Sequence, residues 1–471
     1  MPMPILSRNR TPARWTVVVT SGRVLFVTLL LLVSMAASAQ TLARPGWAGS
    51  GLTAEPWWVH AVVYQIDPHG FEDANADGAG DLRGITKRLD YLQSLGVDAI
   101  SLARFQPQQG DPLQRFEAID PTLGTMDDFD DLLREASRSG IRVVVELDPH
   151  ELTDPAALAS VARFWLGRGV AGISLTASGT SSAATDPQLR IAQLRKLREV
   201  TKSFAGERIL IGEIAQSGSD AAHLGRGEGA DMMLDASLGQ VSEFKAAAIR
   251  TAMVHTQRSP DSGVPLIATD GVGIPRSASR LGDGTNDAAI AKVLATVLMT
   301  TKANPRLYFG QEIGLGGKPA ATVVAGAMPW GVPIDPTARP PLHPVPRGLE
   351  VAAEDADPYS VLSWYRHLIE LHHGNAAFRS GTNEILNHDD QNSLVWVVKK
   401  DPVTPLSPAI IVACNLSAKP VTLSLVDDMR NLHLRGSFLR TVLRSDPGMG
   451  GMNLNAVTLG PFGIYIGQLK F

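Results

Sequence analysis

The chain is short of the residues that mark several common protein classes. It has one cysteine in 471 residues, which excludes an intramolecular disulfide framework and the cysteine-rich structural zinc sites. That residue, Cys414, lies in the apolar run AIIVACNL, where a buried, inert thiol is expected. Basic charge is not in surplus: 43 Lys and Arg stand against 47 Asp and Glu, a net charge of −4. The basic face that a nucleic-acid partner demands is therefore missing. No low-complexity tract or long charge run stands out, and no glycine-rich phosphate loop follows any strand-like stretch.

At the N-terminus, Arg8, Arg10, Arg14 and Arg23 precede VLFVTLLLLVSMAASAQ, which ends in the small-residue pattern Ala37-Ser38-Ala39. This is the layout of a secretory signal peptide over 1–39, cleaved after Ala39. The alternative is an uncleaved anchor, the only route by which the chain would meet a membrane. The apolar run is short for a full span. Either reading places the folded part outside the cytoplasm, secreted or periplasmic. Residues 40–54 read as a linker.

From Trp57 onward, short β-like runs alternate with amphipathic helical ones. AVVYQI, DAISLA, RVVVEL, AGISL, RILIGEI, DMMLDAS, VPLIATD and PRLYFG are each read as a strand with a helical segment after it. In ITKRLDYLQSLG, for example, Ile85, Leu89, Leu92 and Leu95 fall on one stripe. Eight such units predict a (β/α)8 TIM barrel over 55–375. After SVLSWYRHLIELHH the pattern changes to strands without intervening helices. Residues 376–471 are therefore predicted as a C-terminal antiparallel β-sandwich domain.

The stretch WWVHAVVYQIDPHGFEDANADGAGDLRGITKRLDYLQSLGVDAISLA resembles the opening of the α-amylase superfamily, glycoside hydrolase family 13, nearest its oligo-1,6-glucosidase and α-glucosidase branch. AIDPTLGTMDDFDDLLREASRSGIRVVVEL, FWLGRGVAGISL, ILIGEI, IPRSASRLGD, YFGQEIG and MPW continue the likeness in order. The family is a retaining glycosidase on a barrel. It uses an aspartate nucleophile after strand 4, a glutamate acid/base after strand 5 and a third aspartate after strand 7. Retention requires one carboxylate to attack the anomeric carbon and a second carboxyl group to protonate the leaving oxygen.

Against that pattern this chain has lost much. The strand-4 motif Gly-Phe-Arg-Leu-Asp is Gly172-Ile173-Ser174-Leu175-Thr176 here, so Thr176 occupies the nucleophile position. Glu213 keeps the acid/base position. Asn-His-Asp before Gln-Pro-Arg on strand 7 becomes Gly271-Val272-Gly273, unless a small insertion brings Asp270 to the third aspartate's place. The strand-3 motif Asp-Leu-Val-Val-Asn-His reads Glu146-Leu147-Asp148-Pro149-His150-Glu151, and Gly-Tyr-Asp reads Gly110-Asp111-Pro112. The domain that most members insert after strand 3 is also missing. That pair of departures is similar to the heavy chains of amino-acid transporters, non-enzymatic relatives that serve as partner subunits.

The loop DANADGAGD matches the family's structural calcium loop at Asp73, Asn75, Asp77, the Ala79 carbonyl and Asp81. These are the hard oxygen donors calcium prefers. The competing reading is an acidic surface loop held by Asx turns. Glu213 is either a surviving general acid or a relic. Asp67, Asp148, His150, Glu151, Asp235 and Asp270 fall near strand ends, where they form either a rebuilt acid/base set or an ordinary solvated rim. Of these, His150 and Asp235 are candidates for binding substrate. Trp57-Trp58 reads as scaffold rather than a sugar platform, and the sequon Asn415-Leu416-Ser417 carries little information. The expectation is a secreted, catalytically impaired member of the superfamily that binds an α-glucan or oligosaccharide, or a protein partner. The alternatives are an active hydrolase or transglycosylase pairing Glu213 with a substitute carboxylate, and a partner subunit resembling the transporter heavy chains.

Overall fold

Each β-like run becomes a strand of four to six residues. They are β1 (Val63–Ile66), β2 (Ala99–Leu102), β3 (Arg142–Leu147), β4 (Gly172–Leu175), β5 (Ile209–Glu213), β6 (Met232–Asp235), β7 (Val264–Ile267) and β8 (Asn304–Tyr308). All are parallel, in sequential order, and β8 pairs back onto β1 to close the barrel. The computed structural model describes residues 55–148, 152–176, 187–213, 229–257, 263–316, 327–331, 349–386, 391–404 and 407–470. Residues Trp57–Phe471 form one compact unit, and Met1–Pro56 another, to which the expected signal peptide and linker belong. Of that N-terminal unit only residues 55–56 are described. The segment 214–228, where a helix was expected after β5, lies outside the described residues.

The helices sit outside the barrel because their apolar stripes have nowhere else to go. Helix Met126–Arg138 starts at a capping box formed by Thr125 and Asp128 and buries Phe129, Leu132 and Ala136. Trp165, from helix Pro155–Arg168, packs edge-on against Phe105 and Phe129 at ring separations of 5.1 and 5.0 Å. Its indole N–H donates to the Phe116 carbonyl at 2.8 Å. Residues 148–154 alone join β3 to this helix, so no inserted domain follows β3.

Inside the barrel the inward positions change character along the strands. Val63, Val144, Ile209, Ile211, Met232, Leu234, Leu266 and Ala268 form an apolar cluster of their own. Toward the C-terminal ends of β1 to β4 and β8, buried Gln65, Ser101, Glu146, Ser174 and Arg306 replace apolar residues. A barrel interior is normally packed with branched aliphatics, so this polar arc needs an account.

The C-terminal region holds β9 (Thr382–Leu386), β10 (Ser393–Lys399), β11 (Ile410–Asn415), β12 (Val421–Leu423), β13 (Phe438–Arg444), β14 (Met452–Asn453), β15 (Val457–Leu459) and β16 (Ile464–Lys470). Six form an antiparallel sheet in the order β14-β13-β16-β11-β10-β9, while β12 pairs with β15. One face carries Trp396, Val412, Cys414 and Ile466 into the barrel's hydrophobic cluster, where Trp396 Nε1 donates to Thr300 O. The other face packs Val395, Val397, Ile411 and Ala413 against Leu423, Val457 and Leu459. Cys414 is fully enclosed, and burial pushes its thiol pKa well up, as expected for an inert residue. The sequence reading missed the short strands β9, β14 and β15, and also the helix Val426–Asn431 that interrupts this region. Only the last two residues of β9 are buried, so its outward Thr, Asn and Glu hide the strand signal.

Candidate functional site

The C-terminal ends of the strands bring the sequence-predicted residues to one face. Register fixes their level: Leu147 pairs with Leu175, and Leu175 with Gly212. Asp148, Thr176 and Glu213 are thus successive steps around the rim, each one residue beyond those pairs. Glu213 is the last residue of β5, opposite Leu234; its side chain lies outside the described residues, as do His150 and Glu151.

Thr176 is buried, and both its N–H and its hydroxyl point to the Leu147 carbonyl, at 3.1 and 3.4 Å. Its own carbonyl accepts from Arg190 Nη2 at 2.9 Å. A peptide carbonyl cannot take a proton from a hydroxyl at neutral pH, so this contact orients Thr176 without activating it.

The polar arc is a connected network. Gln65 Nε2 donates to both oxygens of Glu146, at 2.7 and 2.9 Å, and Ser101 Oγ donates to Glu146 Oε1 at 2.7 Å. Gln65 Oε1 accepts the N–H of Val272 at 3.0 Å. The sequence reading recorded Glu146 only as a motif position and missed Gln65, Ser101 and Arg306. The available signal was a polar residue interrupting each apolar strand: Gln in VYQI, Ser in AISL, Glu in VVVEL.

A second cluster surrounds Asp67, just beyond β1. Its carboxylate caps the following turn by accepting from His69 N at 3.3 Å, and lies 3.3 Å from His69 Nδ1 and 3.5 Å from Arg104 Nη1. The hydrogen bond to Asp67 raises the His69 pKa. Arg104 adopts φ +49°, a left-handed conformation uncommon for a residue with a side chain. Burial, then the charge of Asp67, pushes Tyr308 up to about 12, so it stays a phenol.

Asp235 ends β6 and accepts from Ser237 N at 2.8 Å and His255 Nδ1 at 3.0 Å, while Ser237 Oγ lies 3.1 Å from the same Nδ1. Serine and aspartate share one ring nitrogen here. A relay needs them on opposite nitrogens, so the trio is not a Ser-His-Asp triad. Asp270 is enclosed at the base of the loop after β7, where it accepts from Ser277 N at 3.0 Å. Burial raises its pKa against the opposing hydrogen bonds from Ser277.

In the acidic loop, Asp73 accepts from the N–H groups of Asn75, Ala76 and Gly78, and Asp77 from Ala79. Asp81 accepts from Ala74 and Gly84. Gly78 has φ +98°, and a Cβ on Gly80 would fall 2.1 Å from the Pro68 carbonyl, so the turn requires both glycines. Burial first, then the charges of Asp73 and Asp77, raise the Asp81 pKa. Among the described residues no three His, Cys, Asp or Glu side chains converge as a metal-ligand set. The donor chemistry, three carboxylates repelling one another beside an amide and a carbonyl, suits a hard cation.

Comparison with known proteins agrees with this geometry. The α-amylase catalytic-domain family matches residues 65–150. Trehalose-6-phosphate hydrolase of Escherichia coli is 47% identical over 95 residues, 19% of this chain and 17% of that protein. The high-identity matches thus span about a fifth of those relatives' length or less. Amino acid transporter heavy chain SLC3A2 of Oryctolagus cuniculus is 27% identical over 381 residues, 74% of this chain and 67% of that one. The crystal structure of trehalose-6-phosphate hydrolase from Bacillus licheniformis superposes with a TM-score of 0.75 at 20% identity, covering 88% of this chain and all of that one. Its likeness is one of fold. With the closed eight-stranded barrel, the C-terminal antiparallel sheet and the α-glucosidase-like relatives, the chain belongs to the α-amylase family, glycoside hydrolase family 13.

Proposed function

We propose that this protein is an exported, calcium-bearing member of the family that has lost glycosidase chemistry and keeps the barrel as a binding module for an α-glucan or oligosaccharide. The observation that carries this reading is Thr176: at the end of β4, the level of the nucleophile, stands a buried hydroxyl bonded to a backbone carbonyl. Without a carboxylate there, no glycosyl-enzyme intermediate can form, whatever Glu213 does. The neighbouring carboxylates are engaged elsewhere: Glu146 by Gln65 and Ser101, Asp235 by His255, Asp270 under its loop.

The test is turnover of maltose, isomaltose, short dextrins and an aryl α-glucoside by the purified chain beside Glu213→Gln. No turnover in either is expected. Turnover abolished in Glu213→Gln would instead establish a working hydrolase or transglycosylase with a substitute carboxylate.

A second reading, a protein-partner subunit, is favoured by the similarity to the transporter heavy chain over 381 residues and by the direct passage from β3 to the next helix. Co-purification of a stoichiometric partner with the tagged chain, together with no glucan binding, would select it. Export rests on residues 1–39: a mature chain beginning near Gln40 in the extracytoplasmic fraction is expected, and a full-length membrane-bound chain would indicate an anchor. Calcium would be held by Asp73, Asn75, Asp77, Asp81 and the Ala79 carbonyl, cross-linking the loop that follows β1.

A further inference from the structure

The turn that follows β7 lies across the polar arc of the barrel. In Gly271–Ile274, Ile274 N donates to Gly271 O at 3.0 Å and Gly273 has φ +81°. This is a type II turn with Val272 at its first central position. The Val272 N–H reaches Gln65 Oε1 at 3.0 Å, spanning from the loop after β7 to β1, past β8. Gly271 sits so close to the arc that a Cβ would fall 2.9 Å from Arg306 Nη2 and 3.0 Å from Gln65 Oε1. At its other end, Ile274 packs over Gly239, where an added Cβ would lie 2.8 Å away, beyond β6. Beneath the turn, Gln65 and Ser101 are 1% exposed, Arg306 3% and Glu146 5%.

These groups are an unusual floor for a turn. Gln65 and Ser101 donate, Glu146 accepts, Arg306 donates, and the charges of the last two cancel. That set matches hydroxyl groups, which both donate and accept, better than it matches an ion. The cover is lightly held: Val272 is half-buried and Gly273 exposed. A neutral hydrogen bond contributes about 0.5–1.5 kcal/mol net, and a hydroxyl donating to Gln65 Oε1 would replace it.

We propose that the Gly271–Ile274 turn is a latch, and that breaking the Val272–Gln65 hydrogen bond opens a pocket for one neutral, polyhydroxylated unit such as a hexose. The latch stands on geometry alone; the ligand class rests on the carbohydrate reading above. Val272→Pro tests both. Proline suits the first central position of a type II turn and removes only the N–H that Gln65 accepts. Ser101→Cys places a thiol on the floor, and the native Cys414 is fully buried and silent.

Iodoacetamide labelling of Ser101→Cys is expected to accelerate about fivefold when Val272→Pro is added, the factor equivalent to one lost hydrogen bond. Equal rates would overturn the latch. Glucose or maltose should bind the Val272→Pro protein about fivefold tighter than wild type by the same conversion. Faster labelling with no sugar binding would uphold the latch and overturn the ligand class and the carbohydrate reading with it. Gly271→Ala, whose methyl group displaces the turn from Gln65 without touching Val272, serves as a second opening variant if Val272→Pro melts early.

Discussion

The side-chain amide of Gln65 on β1 holds both carboxylate oxygens of Glu146 on β3, at 2.7 and 2.9 Å, across the inside of the barrel. Both residues are buried, so the pair sits where water cannot replace either partner. Gln65→Leu is therefore expected to leave Glu146 underserved and to cost about 3 kcal/mol of stability. Urea unfolding measures it. The double variant with Glu146→Leu should lose less than the two single losses combined, because the orphaned charge is gone.

Restoring the family residue should not restore the reaction. Thr176→Asp puts a carboxylate in a buried position whose nearest anchor is the Leu147 carbonyl, an acceptor that repels it. Ser174 stands where the family has arginine, so no cation supports the charge. The expected outcome is no detectable aryl α-glucoside hydrolysis and a lower melting temperature. Measurable turnover would show that one substitution accounts for the loss.

His372, on helix Val361–Gly374, is buried with Nδ1 3.2 Å from Met299 O. Burial, then the neighbouring His373, pushes its pKa down to about 4. The folded state thus holds it neutral where the unfolded chain takes a proton below about 6.5. Stability from this residue is complete above about pH 6.5 and falls as the pH drops toward 4, by on the order of 3 kcal/mol. His372→Gln should flatten the slope of unfolding free energy against pH over that window; an unchanged slope would assign it to other groups.

Calcium gives a prediction independent of catalysis. If the Asp73–Asp81 loop binds it, a chelator should lower the melting temperature, and calcium at about 100 times its Kd should stabilise by about 2.7 kcal/mol. Asp77→Ala should abolish the response while leaving the apo melting temperature nearly unchanged, because Asp77 is exposed. A wild-type chain indifferent to chelator would leave the loop as a set of Asx turns.

The order of strands and helices was readable because each strand is a short aliphatic run between segments of helical period, and packing one against the other leaves a single closed arrangement. The residues at the ends of β4 and β5 could also be placed, since the resemblance supplies the register on both sides. The contacts of the barrel's interior were not readable. Gln65, Ser101, Glu146 and Val272 come from four separate units, and each looks ordinary in its own stretch of chain.

Sequence alone determined that Thr176, a hydroxyl, stands where the family places a carboxylate, because residue identity at a fixed register needs no coordinates. Only the tertiary structure decided what that hydroxyl and its neighbours do. Closing the barrel turns Thr176 onto a backbone carbonyl, locks Glu146 to Gln65 and lays the β7 turn over both. Hydrogen bonds between distant strands depend on closure, and no local pattern encodes them.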